Sequence, residues 1–142
     1  MPNIRWLISL ITRVHRFVFL ATDGRLGSSL LWMRFLLLSH VGRRSGLRRY
    51  TPLLCIEEDS RWIVVASNGG DDRSPAWWLN LQSHPEAEVH YYREHIKVKA
   101  REASVIEYEA LWAKLQQSYS FYDNYRTRTD RKIPVVILER YK

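Results

Sequence analysis

The chain has few of the residues that would tie it to a special class of protein. Its 142 residues include one cysteine, Cys55, so an internal disulfide is excluded. With no second cysteine and no paired metal ligands, a reducing, cytoplasmic setting is the expectation. No repeat, low-complexity tract or linker is present, and 46% hydrophobic with 26% charged residues excludes disorder and collagen. No apolar run is long enough to span a bilayer; the N-terminal one is broken by Arg13 and Arg16, and no small-residue cleavage site follows, which excludes a signal peptide. Acid is scarce where base is dense. Residues 1–50 hold nine arginines, no lysine and a single acid, Asp23, for a net of +8, whereas residues 51–100 net −3 and residues 101–142 net +2.

The overall charge of +7 invites a nucleic-acid reading, but its confinement to one arginine-rich segment argues for a local anion site, since the guanidinium fork suits phosphate and carboxylate. The length fits one domain over residues 1–142. Residues 1–20 read as an amphipathic helix capped at Asn3, with Ile4, Leu7, Ile8, Ile11, Val14 and Val18 on one side and Arg5, Ser9, Thr12, Arg13 and Arg16 on the other. Two placements are open: packed on the core, or lying in an anionic membrane surface through residues 4–18 with Trp6 and Phe17 at the boundary.

After the turn-rich segment 22–29, six β-like runs follow: Phe35–Val41, Arg49–Glu57, Arg61–Ser67, Glu86–Tyr92, His95–Glu102 and Ile133–Glu139. Tight connections at Glu58-Asp59-Ser60 and Arg93-Glu94 predict two antiparallel hairpins. Helices are predicted over Pro75–Ser83, capped by Ser74, and over Val105–Gln117, where Ser104 and Glu107 form a capping box. The fold class is therefore α+β, with an antiparallel barrel of about six strands over residues 30–142, because closure removes exposed edges.

Three segments carry chemistry. Gly42-Arg43-Arg44-Ser45-Gly46-Leu47-Arg48-Arg49 is a glycine-bounded loop with four guanidiniums, suited to an anion. Ala66-Ser67-Asn68-Gly69-Gly70 ends a strand and is followed by Arg73-Ser74-Pro75-Ala76-Trp77-Trp78-Leu79-Asn80-Leu81, where a flat ligand could approach backbone and a tryptophan wall. One of the two tryptophans is expected in the core, because helix neighbours face directions about 100° apart. Tyr119, Tyr122 and Tyr125, spaced by three, form either a hydrogen-bonding lid or a cover over the barrel mouth. The histidines at 15, 40, 84, 90 and 95 are scattered and read as surface or strand residues, with no metal site expected.

The order GRRSGxxRxxPLL, ASNGG, RSPAWWLNL and a tyrosine-spaced stretch ending in TDRxIPVV resembles the deazaflavin (F420)-dependent nitroreductase and quinone reductase family, over roughly residues 10–140. The resemblance implies a split β-barrel of the flavin-reductase type and the coenzyme F420. It implies that Arg43, Arg44 and Ser45 hold the coenzyme's phosphate and γ-glutamyl tail, with Arg49 and Arg73 as further basic contacts. Tyr50, Thr51, Pro52, Leu53 and Leu54 would line the ring; Ala66, Ser67 and Asn68 would meet its polar edge; Ala76, Trp77, Trp78, Leu79 and Asn80 would frame it. Tyr122 would reach the coenzyme, Tyr119, Tyr122 and Tyr125 would shape the acceptor pocket, and Tyr122 and Tyr125 are the candidate hydrogen-bond donors in catalysis. Departures from the family pattern are Arg44 for lysine, Cys55 and Trp78 for tyrosine, and Arg128 for an aromatic.

The implied reaction is hydride transfer from the reduced coenzyme to a quinone or nitroaromatic acceptor, by a monomer or homodimer, cytoplasmic or peripheral on the inner membrane face. A split barrel binding FMN instead, or a basic barrel binding single-stranded nucleic acid, are the alternatives. Separation of the aromatics from the arginine loop argues against the last, and no nucleic-acid partner is expected.

Overall fold

In a computed structural model, the described residues are 5–21, 29–30, 33–67, 73–120, 122 and 132–141, with residues 5–8, 19–21 and 29–30 described by backbone alone. The elements are α1 (Arg5–Ala21), β1 (Ser29–Leu30), β2 (Met33–Val41), β3 (Arg48–Leu54), β4 (Ile56–Glu58), β5 (Arg61–Val65), α2 (Ala76–Ser83), β6 (Glu86–Tyr91), β7 (Glu94–Glu102), α3 (Val105–Ser118) and β8 (Val135–Arg140). The cap at Asn3, the connection at 22–28, and Asn68, Gly69, Gly70, Tyr125 and Arg128 lie outside the described residues.

Seven strands form one antiparallel sheet in the order β3-β2-β6-β7-β8-β5-β4, and the two-residue β1 adds to β2. The first and last strands of this path, β3 and β4, are consecutive in sequence. The predicted single strand Arg49–Glu57 is thus interrupted at Cys55. There the chain leaves β2, its amide donating to the Arg34 carbonyl at 2.9 Å, and continues as the partner of β5.

Alternation sorts side chains between two buried clusters. Trp62 and Val64 of β5 with Val136 and Leu138 of β8 join Leu36, Leu38, Val89 and Val98 in one; Ile63, Val65, Val135 and Ile137 point the other way, under Leu111, Trp112 and Leu115 of α3. β5 and β8 read as continuous apolar runs because both their faces are buried.

The capping box of α3 is present as predicted, Ser104 Oγ accepting from the Glu107 amide and Glu107 Oε1 from the Ser104 amide. At α2 the cap shifts by one residue: Pro75, not Ser74, is the N-cap, its carbonyl accepting from the Trp78 and Leu79 amides. The β6–β7 turn also shifts, from Arg93-Glu94 to Tyr92-Arg93, because Tyr91 pairs with Glu94 and Tyr92 takes φ 54°. Asp59 and Ser60, both at positive φ, close β4 and β5 as predicted.

Helix α1 approaches β3, and His15 stands edge-on to Phe35 with centroids 4.7 Å apart. Its apolar residues do not all turn inward. Leu10, Ile11, Val14 and Phe17 are exposed, the last by 70%, while Thr12 and Arg16 from the expected polar side are half-buried. No described helix is long and apolar enough to cross a membrane.

Candidate functional site

The arginine loop is the turn between β2 and β3. It closes through Gly42 N to Leu47 O (2.8 Å) and Gly46 N to Gly42 O (2.9 Å), with Gly46 at φ 71°. Gly42 is required by space, since a Cβ there would lie 2.7 Å from Ser45 Oγ and 3.1 Å from Arg49 Nε. Ser45 Oγ accepts from the Leu47 amide and stiffens the turn. Residues 43–49 are all exposed. Arg48 donates to Ser39 Oγ and Arg43 to Asn80; among the described residues the side chains of Arg44 and Arg49 make no hydrogen bond, and none of the four arginines has an acidic partner. Four uncompensated guanidiniums on one turn form a strong local field for an anion.

Beneath the loop is a buried polar relay that sequence reasoning missed. Asn80 Oδ1 accepts from both the Arg43 amide (3.1 Å) and Arg43 Nη1 (2.9 Å), so the Asn80 amide nitrogen faces His40. It donates to His40 Nδ1 at 3.1 Å, which leaves the imidazole proton on Nε2, donated to Thr51 Oγ1 at 2.9 Å. His40 and Asn80 are 2% and 3% exposed. Burial, then the charges of Arg49 and Arg48, lower the His40 pKa to about 4, so the ring is neutral and able to accept. One chain of hydrogen bonds therefore joins β3, β2, α2 and the arginine loop. The available signal was a histidine in an apolar strand followed two residues later by the loop; only the β2–β3 register and the docking of α2 reveal its partner.

Strand β3 runs from the loop beside this relay. Tyr50, Thr51, Pro52, Leu53 and Leu54 are half-buried, and β2 is the only described strand with which β3 pairs, so its other edge pairs with no described strand. Asn80 sits on α2, which packs on β2. Ala76 is exposed, Leu79 half-buried and Arg73 exposed just ahead of the helix. Both tryptophans, not one, are in the core: Trp77 and Trp78 are each 6% exposed, in one cluster with Ala66. They support the site from beneath; neither stands as an open wall. Ser67 is half-buried at the end of β5.

The tyrosines lie elsewhere. Tyr119 and Tyr122 are 2% and 4% exposed in the cluster under α3, their rings 6.0 Å apart. The Tyr119 hydroxyl donates to the Cys55 carbonyl at 2.7 Å and accepts from the Arg34 amide at 3.1 Å. It thereby pins the point where β3 gives way to β4, and burial raises its pKa. Tyr119 is buried, and its hydroxyl is engaged by backbone at Cys55 and Arg34. Cys55 itself is fully buried and its thiol pKa is pushed up by that burial, so it stays protonated.

The structure thus gathers the arginine loop, β3 and α2, with Ala66 in the core beneath α2, while Tyr119 and Tyr122 lie in the second cluster, against which Leu54 of β3 packs.

This architecture recurs in known proteins. The profile of F420H(2)-dependent quinone reductases matches residues 11–140. An F420H(2)-dependent quinone reductase of Mycobacterium tuberculosis is 33% identical over 145 residues, covering 96% of this chain and 97% of that protein. A solved F420-H2 dependent reductase superimposes with a TM-score of 0.69 at 37% identity, over 74% of this chain and 93% of its own. A second solved structure, described as a domain-swapped dimer, gives 0.72 at 32% identity over 94% and 97% of the two chains. The chain belongs to the F420H(2)-dependent quinone reductase family, oxidoreductases that use coenzyme F420.

Proposed function

We propose that this protein passes a hydride from reduced F420 to a quinone, with nitroaromatic compounds as adventitious acceptors. The observation that carries this reading is the β2–β3 turn, where Arg43, Arg44, Arg48 and Arg49 have no acidic partner among the described residues and adjoin the unpaired edge of β3. That combination fits a flat ring with a long anionic tail. F420, when bound, supplies the hydride. Arg43, Arg44 and Ser45 hold the phosphate and the acidic tail, with Arg49 and Arg73 adding charge. The backbone of residues 50–54 orients the ring, and Ala66, Ser67 and Asn68 satisfy its polar edge. Ala76, Leu79 and Asn80 bound it on the α2 side, while Trp77 and Trp78 keep the floor dry. Tyr122 and Tyr125 are the proposed donors to the acceptor oxygen, Tyr122 from the cluster beneath α3.

We read the sheet as a split barrel joined where β3 continues into β4, and the exposed Ile11, Val14 and Phe17 of α1 as a face toward anionic lipid, where a quinone dissolves. The same stripe cannot meet lipid and a second copy at once. A homodimer is the competing use, favoured by the domain-swapped neighbour.

The decisive experiment follows absorbance of reduced F420 on adding the protein and a panel of quinones and nitroaromatics. Oxidation with quinones, lost in Arg44→Ala and Arg49→Ala, is expected. Tight binding of FMN with no oxidation of F420 would refute the reading. Flotation with anionic vesicles and light scattering then separate the two uses of α1.

A further inference from the structure

Adjoining the proposed coenzyme site at Tyr50, the β6–β7 hairpin brings together Glu88, His90 and His95. Glu88 and His90 are two apart on β6 and share a face, and His95 is the cross-strand partner of His90. Glu88 Oε1 lies 3.1 Å from His90 Nε2 and 3.6 Å from His95 Nδ1, and one donor atom from each residue fits within a 4.8 Å set. Ligands about 2.0–2.1 Å from a tetrahedral ion are separated by about 3.3 Å, so two of the three edges are already near the required length. The imidazoles stack with centroids 4.1 Å apart and an interplanar angle of 28°, and Tyr50 stands edge-on to His90 at 6.2 Å, bounding one side. The side chains of His90 and Glu88 are 14% and 33% exposed and that of His95 45%, which gives an ion an entry path and room for a water.

We propose that Glu88, His90 and His95 form a site for a borderline divalent transition metal, of which zinc is the type, with a fourth position open. Two imidazoles and one carboxylate select such an ion over calcium or magnesium, which take oxygen ligands. The ion would replace the His–Glu hydrogen bonding with coordination and staple the two strands across their turn. The alternative is a hydrogen-bonded triad that binds no metal.

The test uses the full chain, without a histidine tag and stripped of metal, titrated with cobalt(II). The expected result is visible ligand-field absorption that saturates at one cobalt per chain, is displaced by zinc, and accompanies a rise in melting temperature. Glu88→Gln and His95→Ala should each weaken cobalt binding by more than about tenfold. His95→Gln, which keeps the length of a polar side chain on the strand, guards against a folding defect, and far-ultraviolet circular dichroism of the metal-free variants should match the parent. No saturable absorption, or absorption that survives these substitutions and so belongs to other histidines, would overturn the site. The readout needs no coenzyme, so it stands or falls independently of the oxidoreductase reading.

Discussion

The buried His40 makes acid the most informative perturbation of this protein. Its pKa falls from an ordinary 6.5 to about 4 in the fold, so the unfolded chain binds a proton that the native protein refuses between those values. Stability is therefore full above pH 6.5 and is lost as the pH falls toward 4. That lowering corresponds to about 3 kcal/mol, most of which has gone by pH 4.5. Because His40 is 2% exposed, solvent screening does little to reduce that figure. Protonation also removes the acceptor for Asn80 Nδ2, so Asn80 can satisfy the new N–H only by turning its oxygen away from Arg43. The assay is urea unfolding followed by tryptophan fluorescence from neutral pH down to about 4.5, in the parent protein and in His40→Gln, which keeps a polar group but cannot titrate. The parent should lose stability over this range by about 2–3 kcal/mol more than the variant. Equal acid sensitivity in the two proteins would refute the buried, neutral His40. The window is clean, because Glu107, held down to about 2 chiefly by its hydrogen bonds from Arg101, contributes only below pH 4.5.

Other substitutions separate binding from stability. Asn80→Ala should destabilise by about 2–3 kcal/mol in urea unfolding, since it strands His40 and Arg43 at once. Arg44→Ala, at an exposed residue whose side chain makes no hydrogen bond among the described residues, should leave the melting temperature nearly unchanged while weakening F420 binding about tenfold or more by fluorescence titration. Tyr119→Phe should cost about 1–3 kcal/mol by leaving the Cys55 carbonyl and Arg34 amide unpaired inside the protein. Glu107→Gln should blunt the further loss of stability between about pH 4.5 and 2, measured by the same unfolding series, because the unfolded Glu107 takes up its proton first.

What was legible in the sequence was whatever alternation, turn chemistry or local capping encodes. The doubly buried β5 and β8, the Asp59-Ser60 turn, the Ser104–Glu107 box and the arginine loop are each written in neighbouring residues. What was illegible depends on contacts between distant segments. Thr51, Pro52, Leu53, Leu54, Cys55 and Ile56 read as one strand, because nothing local marks the point where the chain exchanges β2 for β5; the marker is Tyr119, 64 residues away, bonded to the Cys55 carbonyl. Period-three spacing puts Tyr119 and Tyr122 on one side of a helix or helical turn; α3 ends at Ser118, the Tyr122 amide donates to the Tyr119 carbonyl, and both rings join the cluster under α3.

The histidines show the same division at a smaller scale. His40 was read as one of five scattered residues because its partner, Asn80, is 40 positions on and meets it only when α2 docks on β2. The grouping of Glu88, His90 and His95 is hidden for a different reason: His90 is on a strand, where the residue on its own face is two positions back. Glu88 was in view at that spacing, and the predicted turn was misplaced by one residue, which hid the pairing of His90 with His95. A strand period of two and a turn shifted to Tyr92-Arg93 are together enough to converge all three donors. The physical information was therefore in the sequence, in the register of a hairpin and not in any motif.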